Sequence, residues 1–302
     1  MNPALRARIK RRQRIRRITI LVVAVVIVLS LVVGVYFALN NGSPYEKLVG
    51  KQVSSTDLGY ITGVSNSTLS QVGIPSGVIS PSTISGSALT LNGKPEILYI
   101  GADYCPYCAV ERWSLIMALS RFGQFSGLTY MLSSSTDVNA NSPTFSFSSA
   151  NYTSKYIAFV GVEEYGRDPS VLVQPLTTQQ QSLVSQYDTC PANRQSGGIP
   201  FIDIANKYVI NCGAQSLLDL SNKNWTDITT ALDTPGSNYA QLIDGAANAL
   251  ISAICNVTGQ STYPCNQSYA TAAFSNQSSN GQNILEAFVA VPVSRPTVSR
   301  LT

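Results

Sequence analysis

A short apolar run, Glu96-Ile97-Leu98-Tyr99-Ile100-Gly101-Ala102, leads almost directly into Cys105-Pro106-Tyr107-Cys108. This junction constrains the fold more than any other stretch of the chain. The run follows Asn92-Gly93-Lys94-Pro95 and reads as a buried strand entered from a turn. From Cys105 onward the period becomes helical: Cys108, Leu115, Ile116, Leu119 and Phe122 fall on one stripe, and Gly123 is placed to end it. A C-x-x-C at a strand-to-helix junction sets its first sulfur at a helix N-terminus, where unpaired N–H groups and the helix dipole favour thiolate over thiol. Pro106 fits the first turn, where a missing N–H costs nothing. The pattern is that of a dithiol–disulfide switch. Two plainer readings stand beside it, a structural disulfide and half of a zinc site.

The chain has no histidine. That excludes Ser-His-Asp and Cys-His catalysis and histidine metal sites. A zinc site would have to complete itself from Cys190, Cys212, Cys255 or Cys265, and no metal is expected. Copper delivery by two cysteines is also disfavoured. Such sites usually add His or Met, and Met117 and Met131 lie outside the motif. The formal charge of +4 conceals an asymmetry: residues 1–17 carry eight of the 20 Lys/Arg and no acid, leaving the remainder at −4. No nucleic-acid surface is therefore indicated for the main body.

Behind that basic cluster, residues 18–39 form 22 uncharged positions interrupted only by Thr19, Ser30 and Gly34. This length spans a bilayer as a helix. The flanking Arg/Lys predict a single span with a cytoplasmic N-terminus and the rest outside the plasma membrane. A cleaved signal peptide is the rival, but its apolar region is normally shorter, about 7–15 residues. An uncleaved signal anchor is the expectation.

The remaining chain divides by composition. Residues 40–86 are rich in Ser, Gly, Thr and Pro and read as a stalk and N-terminal cap, with short helices near Pro44–Val49 and Ser55–Ile61. Residues 87–282 form the main domain, with an insert at about 124–196, and 283–302 form a tail containing a strand-like Ala287–Val293. Within the domain, Ala88–Leu91 turns at Asn92-Gly93 into the motif strand. A strand is expected near Leu128–Leu132, followed by a polar Ser/Thr/Asn tract and an apolar run, Tyr156–Val162. A helix is expected over Pro175–Tyr187, and Phe201–Ile204 and Tyr208–Asn211 should form a hairpin. Asn224–Leu232 and Ser237–Ile254 have helical patterns.

Two motifs in this order resemble the thioredoxin superfamily. One is Tyr104-Cys105-Pro106-Tyr107-Cys108, whose central dipeptide is typical of glutaredoxins. The other is Gly198-Ile199-Pro200-Phe201, similar to the segment that carries the thioredoxin cis-proline. The resemblance implies an α/β fold: a thioredoxin-like central sheet with flanking helices, an insert between the C-x-x-C helix and the cis-Pro hairpin, and one N-terminal transmembrane helix. It implies that Ile199–Pro200 is cis and faces the cysteines, and that Tyr104, Pro106, Tyr107, Ile199 and Pro200 shape a substrate groove. More closely, Gly93–Gly123 and the region of Cys255 and Cys265 resemble a mainly archaeal domain-of-unknown-function family of membrane-anchored thioredoxin-like proteins. In that family Glu-Arg-Trp follows the motif, here Glu111-Arg112-Trp113. One departure stands out. Many thioredoxins carry a buried acid six residues before the first cysteine, and here that position is Tyr99, with Asp103 and Glu111 out of register.

The other four cysteines suit an oxidising compartment. They allow three pairings, of which Cys190–Cys212 and Cys255–Cys265 are preferred, both structural. A relay role for Cys190 or Cys212 is the alternative. Folding the hairpin about Asn206 returns Cys212 to the vicinity of Ile199. Glycosylation sequons begin at Asn41, Asn66, Asn151, Asn224, Asn256, Asn266 and Asn276. Trp113 reads as core.

The expected function is that of a membrane-anchored extracytoplasmic thiol–disulfide oxidoreductase. Cys105 would be the exposed nucleophile of depressed pKa and Cys108 the buried resolving thiol, with protein thiols and disulfides as substrates and no cofactor. A separate membrane redox partner would recharge it. The alternative is a redox-inactive cell-surface binding or scaffold protein with a locked Cys105–Cys108 disulfide.

Overall fold

A computed structural model describes residues 3–40, 45–188, 198–213, 218–221 and 223–271. The chain divides into two compact units, one ending at Leu48 and one beginning at Val49.

The first unit is dominated by helix α1 (Pro3–Asn40), followed by a 3₁₀ turn at Glu46–Leu48. Within α1, the stretch Arg11–Val35 spans 25 residues at mean hydropathy 3.2, none of it buried. At about 1.5 Å per residue this exceeds a hydrocarbon core of roughly 30 Å. Its two hydroxyls turn back onto the helix, Thr19 donating to the Ile15 carbonyl (3.0 Å) and Ser30 to that of Val26 (2.8 Å). Both hydroxyls are thus satisfied within the helix. A helix of this kind suits a membrane anchor and a signal sequence alike.

The second unit opens with α2 (Ser55–Thr62) and α3 (Asn66–Val72), capped by the side chains of Ser54 and Ser65. The strands β1 (Ser82–Thr83), β2 (Thr90–Leu91) and β3 (Lys94–Gly101) follow. Asn92 (φ 52°) and Gly93 (φ 73°) make the left-handed two-residue turn between β2 and β3, as the Asn-Gly pair predicts. Helix α4 (Pro106–Leu119) leaves the motif. Two small antiparallel pairs come next. β4 (Gly123–Ser126) lies beside β7 (Asn151–Ser154), and β5 (Thr129–Leu132) beside β6 (Pro143–Ser146). Then come β8 (Ala158–Glu163), α5 (Thr178–Tyr187), and the hairpin of β9 (Phe201–Ile204) and β10 (Tyr208–Asn211). Last are α6 (Trp225–Leu232), a π-helical turn at Ala240–Asp244, and α7 (Gly245–Thr258).

The central sheet runs β1-β10-β9-β3, with β8 on the other side of β3 and β2 pairing with the first residues of β3. β3 is parallel to β8 (Glu96↔Ala158 through Gly101↔Glu163) and antiparallel to β9. β8 comes from within the stretch read as an insert. Its apolar run is that of a buried parallel strand, and the central sheet is where it finds its partner. One sheet face, carrying Leu98, Ile100, Val162, Phe201 and Val209, is covered by Leu183 of α5. Tyr99, on the opposite face by strand alternation, lies against α4, with the Arg112 guanidinium 5.8 Å from its ring centre.

Helix α4 is buried at every position except Tyr107. It packs against α7 and β6, and its one arginine, Arg112, reaches Tyr99 and Glu163 of the sheet. Trp113 is core, as its sequence context suggests: fully buried, edge-on to Phe145, its indole N–H donating to the Pro143 carbonyl (3.0 Å).

One expectation needs correction. Gly123 does not end the helix, which stops at Leu119. Gly123 begins β4, where a methyl would overlap the Thr153 carbonyl of the paired strand. Its use is close approach, not the left-handed cap. The polar tract after Leu132 holds two strands that its composition does not announce, β6 and β7. The expected strand Ala287–Val293 and the tail at 283–302 lie outside the described residues.

Candidate functional site

The end of β3 and the start of α4 place the dithiol. Cys105 is the N-cap residue of α4, in extended conformation, and its sulfur accepts the Cys108 backbone N–H (3.2 Å). The Cys105 N–H in turn donates to the Ala102 carbonyl (3.2 Å). A sulfur in that position takes the place of a capping oxygen and meets the positive end of the helix. From 94 positions further along, the Ile199 carbonyl lies 3.7 Å from the Cys105 sulfur and accepts from its thiol. The Ile199–Pro200 bond is cis. The hairpin thus brings the two motifs singled out in the sequence into contact.

Exposure differs from expectation. Cys105 is only 4% exposed and Cys108 fully buried. The Ile199–Pro200 segment lies against the first sulfur. Tyr104, Tyr107 and Ile199 are half-buried and form the accessible rim, while Pro106 and Pro200 are buried. Both cysteines are free thiols here. Burial pushes the Cys105 thiol up, but hydrogen bonds from the Cys108 side chain and N–H, the Arg112 charge and the Tyr107 N–H outweigh it, and its pKa falls below the usual thiol value. Cys108 goes the other way, raised well above the ordinary value by burial and by Cys105. The two thiols therefore differ in acidity, Cys105 being the more acidic.

Beneath the pair lies a charge cluster that sequence reasoning missed. Arg112, one helical turn beyond Cys108, is fully buried. Its Nε donates to Glu163 Oε1 (2.8 Å), and its Nη2 to Glu163 Oε2 (2.5 Å) and to the Ala102 carbonyl (2.7 Å). Asp103 stands 3.8 Å from Nη2. Glu163 ends β8, directly opposite Gly101 in the parallel register, and also accepts the Phe147 N–H (3.2 Å). Burial pushes the Glu163 carboxyl up to about 7 against the pull of Arg112, whereas the same pairing more than offsets the burial of Arg112 and holds it charged. The two-pronged geometry, with both carboxylate oxygens accepting, is that of the ionised pair. Tyr99 occupies the register where an acid was sought. Burial, offset only in part by Arg112, raises its phenol well above the usual value, so it is no proton acceptor. The available signal was the Arg in Glu111-Arg112-Trp113, at helical spacing from Cys108. Its partner, 51 residues away, left none.

The remaining cysteines, where they are described, are disulfide-bonded. Cys255, in the last turn of α7, is disulfide-bonded to Cys265. Cys212 is also disulfide-bonded, and its N–H donates to the Pro200 carbonyl (2.9 Å), beside the proline segment as the hairpin fold implies. Cys190 lies outside the described residues. Replacing Cys255 and Cys265 together by serine is expected to cost about 2–3 kcal/mol of stability for a loop of this length, read by urea unfolding. The alkylation rate of Cys105 should not change.

Of the sequons, Asn66, Asn151, Asn256 and Asn266 are exposed. Asn224 is half-buried and caps α6 in a two-way exchange with Asp227. Asn41 and Asn276 lie outside the described residues.

The second unit is therefore a mixed α/β domain with a dithiol at the N-terminus of a buried helix, over a buried ion pair. The chain belongs to the family described as Domain of unknown function (DUF929), which matches residues 80–256 and so takes in the sheet, the dithiol and the Ile199–Pro200 segment. No curated protein and no solved structure matches it.

Proposed function

We propose that this chain is a membrane-anchored thiol–disulfide oxidoreductase of thioredoxin-like fold, acting outside the cytoplasm on protein thiols and disulfides. The observation that carries the reading is the contact between the Cys105 thiol and the Ile199 carbonyl at a cis-proline. It sets a helix-capping sulfur of lowered pKa against a backbone segment that a substrate strand can pair with. The sheet supports the same reading. Counting from the parallel strand, the order β8-β3-β9-β10, with β9 antiparallel to β3 and β10 antiparallel to β9, is the order expected of a thioredoxin-like core. The basic residues ahead of the apolar span of α1 support a cytoplasmic N-terminus, single-pass attachment to the plasma membrane and an extracellular domain. A separate membrane redox partner would restore the starting state of the pair.

In such a cycle the Cys105 thiolate attacks a substrate disulfide. A Cys105–substrate S–S bond forms, the substrate bond breaks, and one substrate sulfur leaves as thiolate. Cys108 then gives up its proton, attacks the Cys105 sulfur and releases the second substrate thiolate. The chemistry runs in either direction. The burial of Cys105 favours a second reading, a binding or scaffold domain whose dithiol meets no substrate.

Alkylation of the reduced protein by iodoacetamide across pH 4–10 separates the two. The expected result is a single reactive cysteine, Cys105, titrating below the ordinary thiol value. No modification after reduction would remove the oxidoreductase reading and leave the scaffold.

A further inference from the structure

The direction in which the pair works is written in what lies under it. An oxidised Cys105–Cys108 pair carries no charge, whereas a reduced pair carries negative charge to the extent that Cys105 is a thiolate. A cation fixed near the sulfurs stabilises only the reduced form, and a pair whose reduced form is stabilised is the stronger oxidant. Arg112 is the cation whose charge acts on both sulfurs. It stands on the same helix as both cysteines and cannot reach water, being 0% exposed. It is tied to the cysteine loop, because the Ala102 carbonyl accepts from both the Cys105 N–H (3.2 Å) and Arg112 Nη2 (2.7 Å). Its Nη1 is buried with no acceptor among the described residues. The guanidinium therefore has hydrogen-bonding capacity that Glu163 does not use. The charges facing it are the Glu163 carboxylate in two-pronged contact and Asp103 at 3.8 Å; Tyr99 presents its ring.

We propose that Arg112 is a positioning residue for the dithiol, a buried cation that stabilises the reduced pair and sets this protein to form disulfides in polypeptides rather than to break them. The inference rests on the oxidoreductase reading and adds its direction. The balanced step is as follows. A substrate thiolate attacks Cys105 of the oxidised pair, the Cys105–Cys108 bond breaks, and Cys108 leaves as a thiolate that takes up a proton. The second substrate thiolate attacks the substrate sulfur of the mixed disulfide, releasing Cys105 as a thiolate over Arg112. Two electrons pass from the substrate dithiol to the cysteine pair. The substrate loses two protons, to Cys108 and to solvent. An external disulfide oxidant then re-forms the Cys105–Cys108 bond.

The test is the equilibrium of the purified protein with mixtures of reduced and oxidised glutathione, the fraction of free dithiol being read by mass after alkylation. Arg112→Met is expected to shift the equilibrium about tenfold toward the disulfide, and tenfold corresponds to about 30 mV for this two-electron couple. Glu163→Gln leaves the cation without its counter-ion and is expected to shift it in the opposite direction. Arg112→Lys keeps the charge and should stay close to wild type. A merely structural ion pair would lower the melting temperature of the Arg112→Met and Glu163→Gln variants and leave both equilibria in place. Shifts of under twofold, or of the same sign in Arg112→Met and Glu163→Gln, overturn the proposal, and if Arg112→Met does not fold, a Glu163→Gln shift toward the disulfide overturns it alone. A wild-type pair that glutathione cannot cycle at all overturns the oxidoreductase reading instead.

Discussion

A Cys108→Ser variant, reduced and offered a scrambled protein disulfide, is expected to accumulate as a covalent adduct through Cys105. The adduct should run as a larger species on a non-reducing gel, take in most of the chain and disappear on treatment with dithiothreitol. Cys108 is fully buried and raised well above the ordinary thiol value, so its role is confined to a sulfur already attached to Cys105. Serine in its place cannot resolve the mixed disulfide. Cys105→Ser should form no adduct, since it removes the sulfur of lowered pKa. An adduct on Cys105→Ser, or none on Cys108→Ser, would reverse the assignment of nucleophile and resolving thiol.

The second large effect lies away from the dithiol. Asp244 closes the π-helical turn before α7, is fully buried, and has both carboxylate oxygens unpaired among the described residues. Burial pushes its carboxyl up to about 8, with Asp233 adding to the rise and Arg121 opposing it. The unfolded chain holds an ordinary aspartate near 3.8, so between about pH 4 and 8 the folded protein binds a proton that the unfolded one has lost. Stability falls as pH rises through that window and levels off above it. Over the three or so units up to neutral pH, at 1.36 kcal/mol each, the cost reaches about 4 kcal/mol. Asp244→Asn is therefore expected to raise the melting temperature at pH 7–8, by roughly 2–4 °C per kcal/mol for a domain of this size. At pH 4 it should have little effect. Melting curves at pH 4, 6 and 8 decide it, and an equal shift at all three would show that the carboxyl does not titrate there.

Local chemistry was legible wherever a residue type has one use. Asn92-Gly93 announced a hairpin turn, and the helix expected over Pro175–Tyr187 forms at Thr178–Tyr187. The run at 158–163 was legible as apolar, though not as a strand of the central sheet, because its pairing with β3 is set from 62 positions away along the chain. The polar strands were not legible. Thr144 of β6 is buried because its hydroxyl donates to the Ala109 carbonyl (2.8 Å), and Ser154 of β7 because its hydroxyl donates to the Phe122 carbonyl (2.6 Å). No periodicity of apolar residues marks a strand held in this way. At the site, both cysteines and the facing proline were readable as motifs. The depth of Cys105 was not, because it depends on how closely the hairpin lies against it.

The shared use of the Ala102 carbonyl bears on transplantation. Arg112 travels with the motif, since Ala102 to Arg112 is one continuous stretch, but Glu163 arrives from β8. Grafting the strand–helix unit into a foreign scaffold would carry the cation without its counter-ion and bury a bare positive charge, at a cost of several kcal/mol. A working graft therefore has to include the parallel neighbour strand as well. The smallest portable form of this dithiol is two strands and a helix.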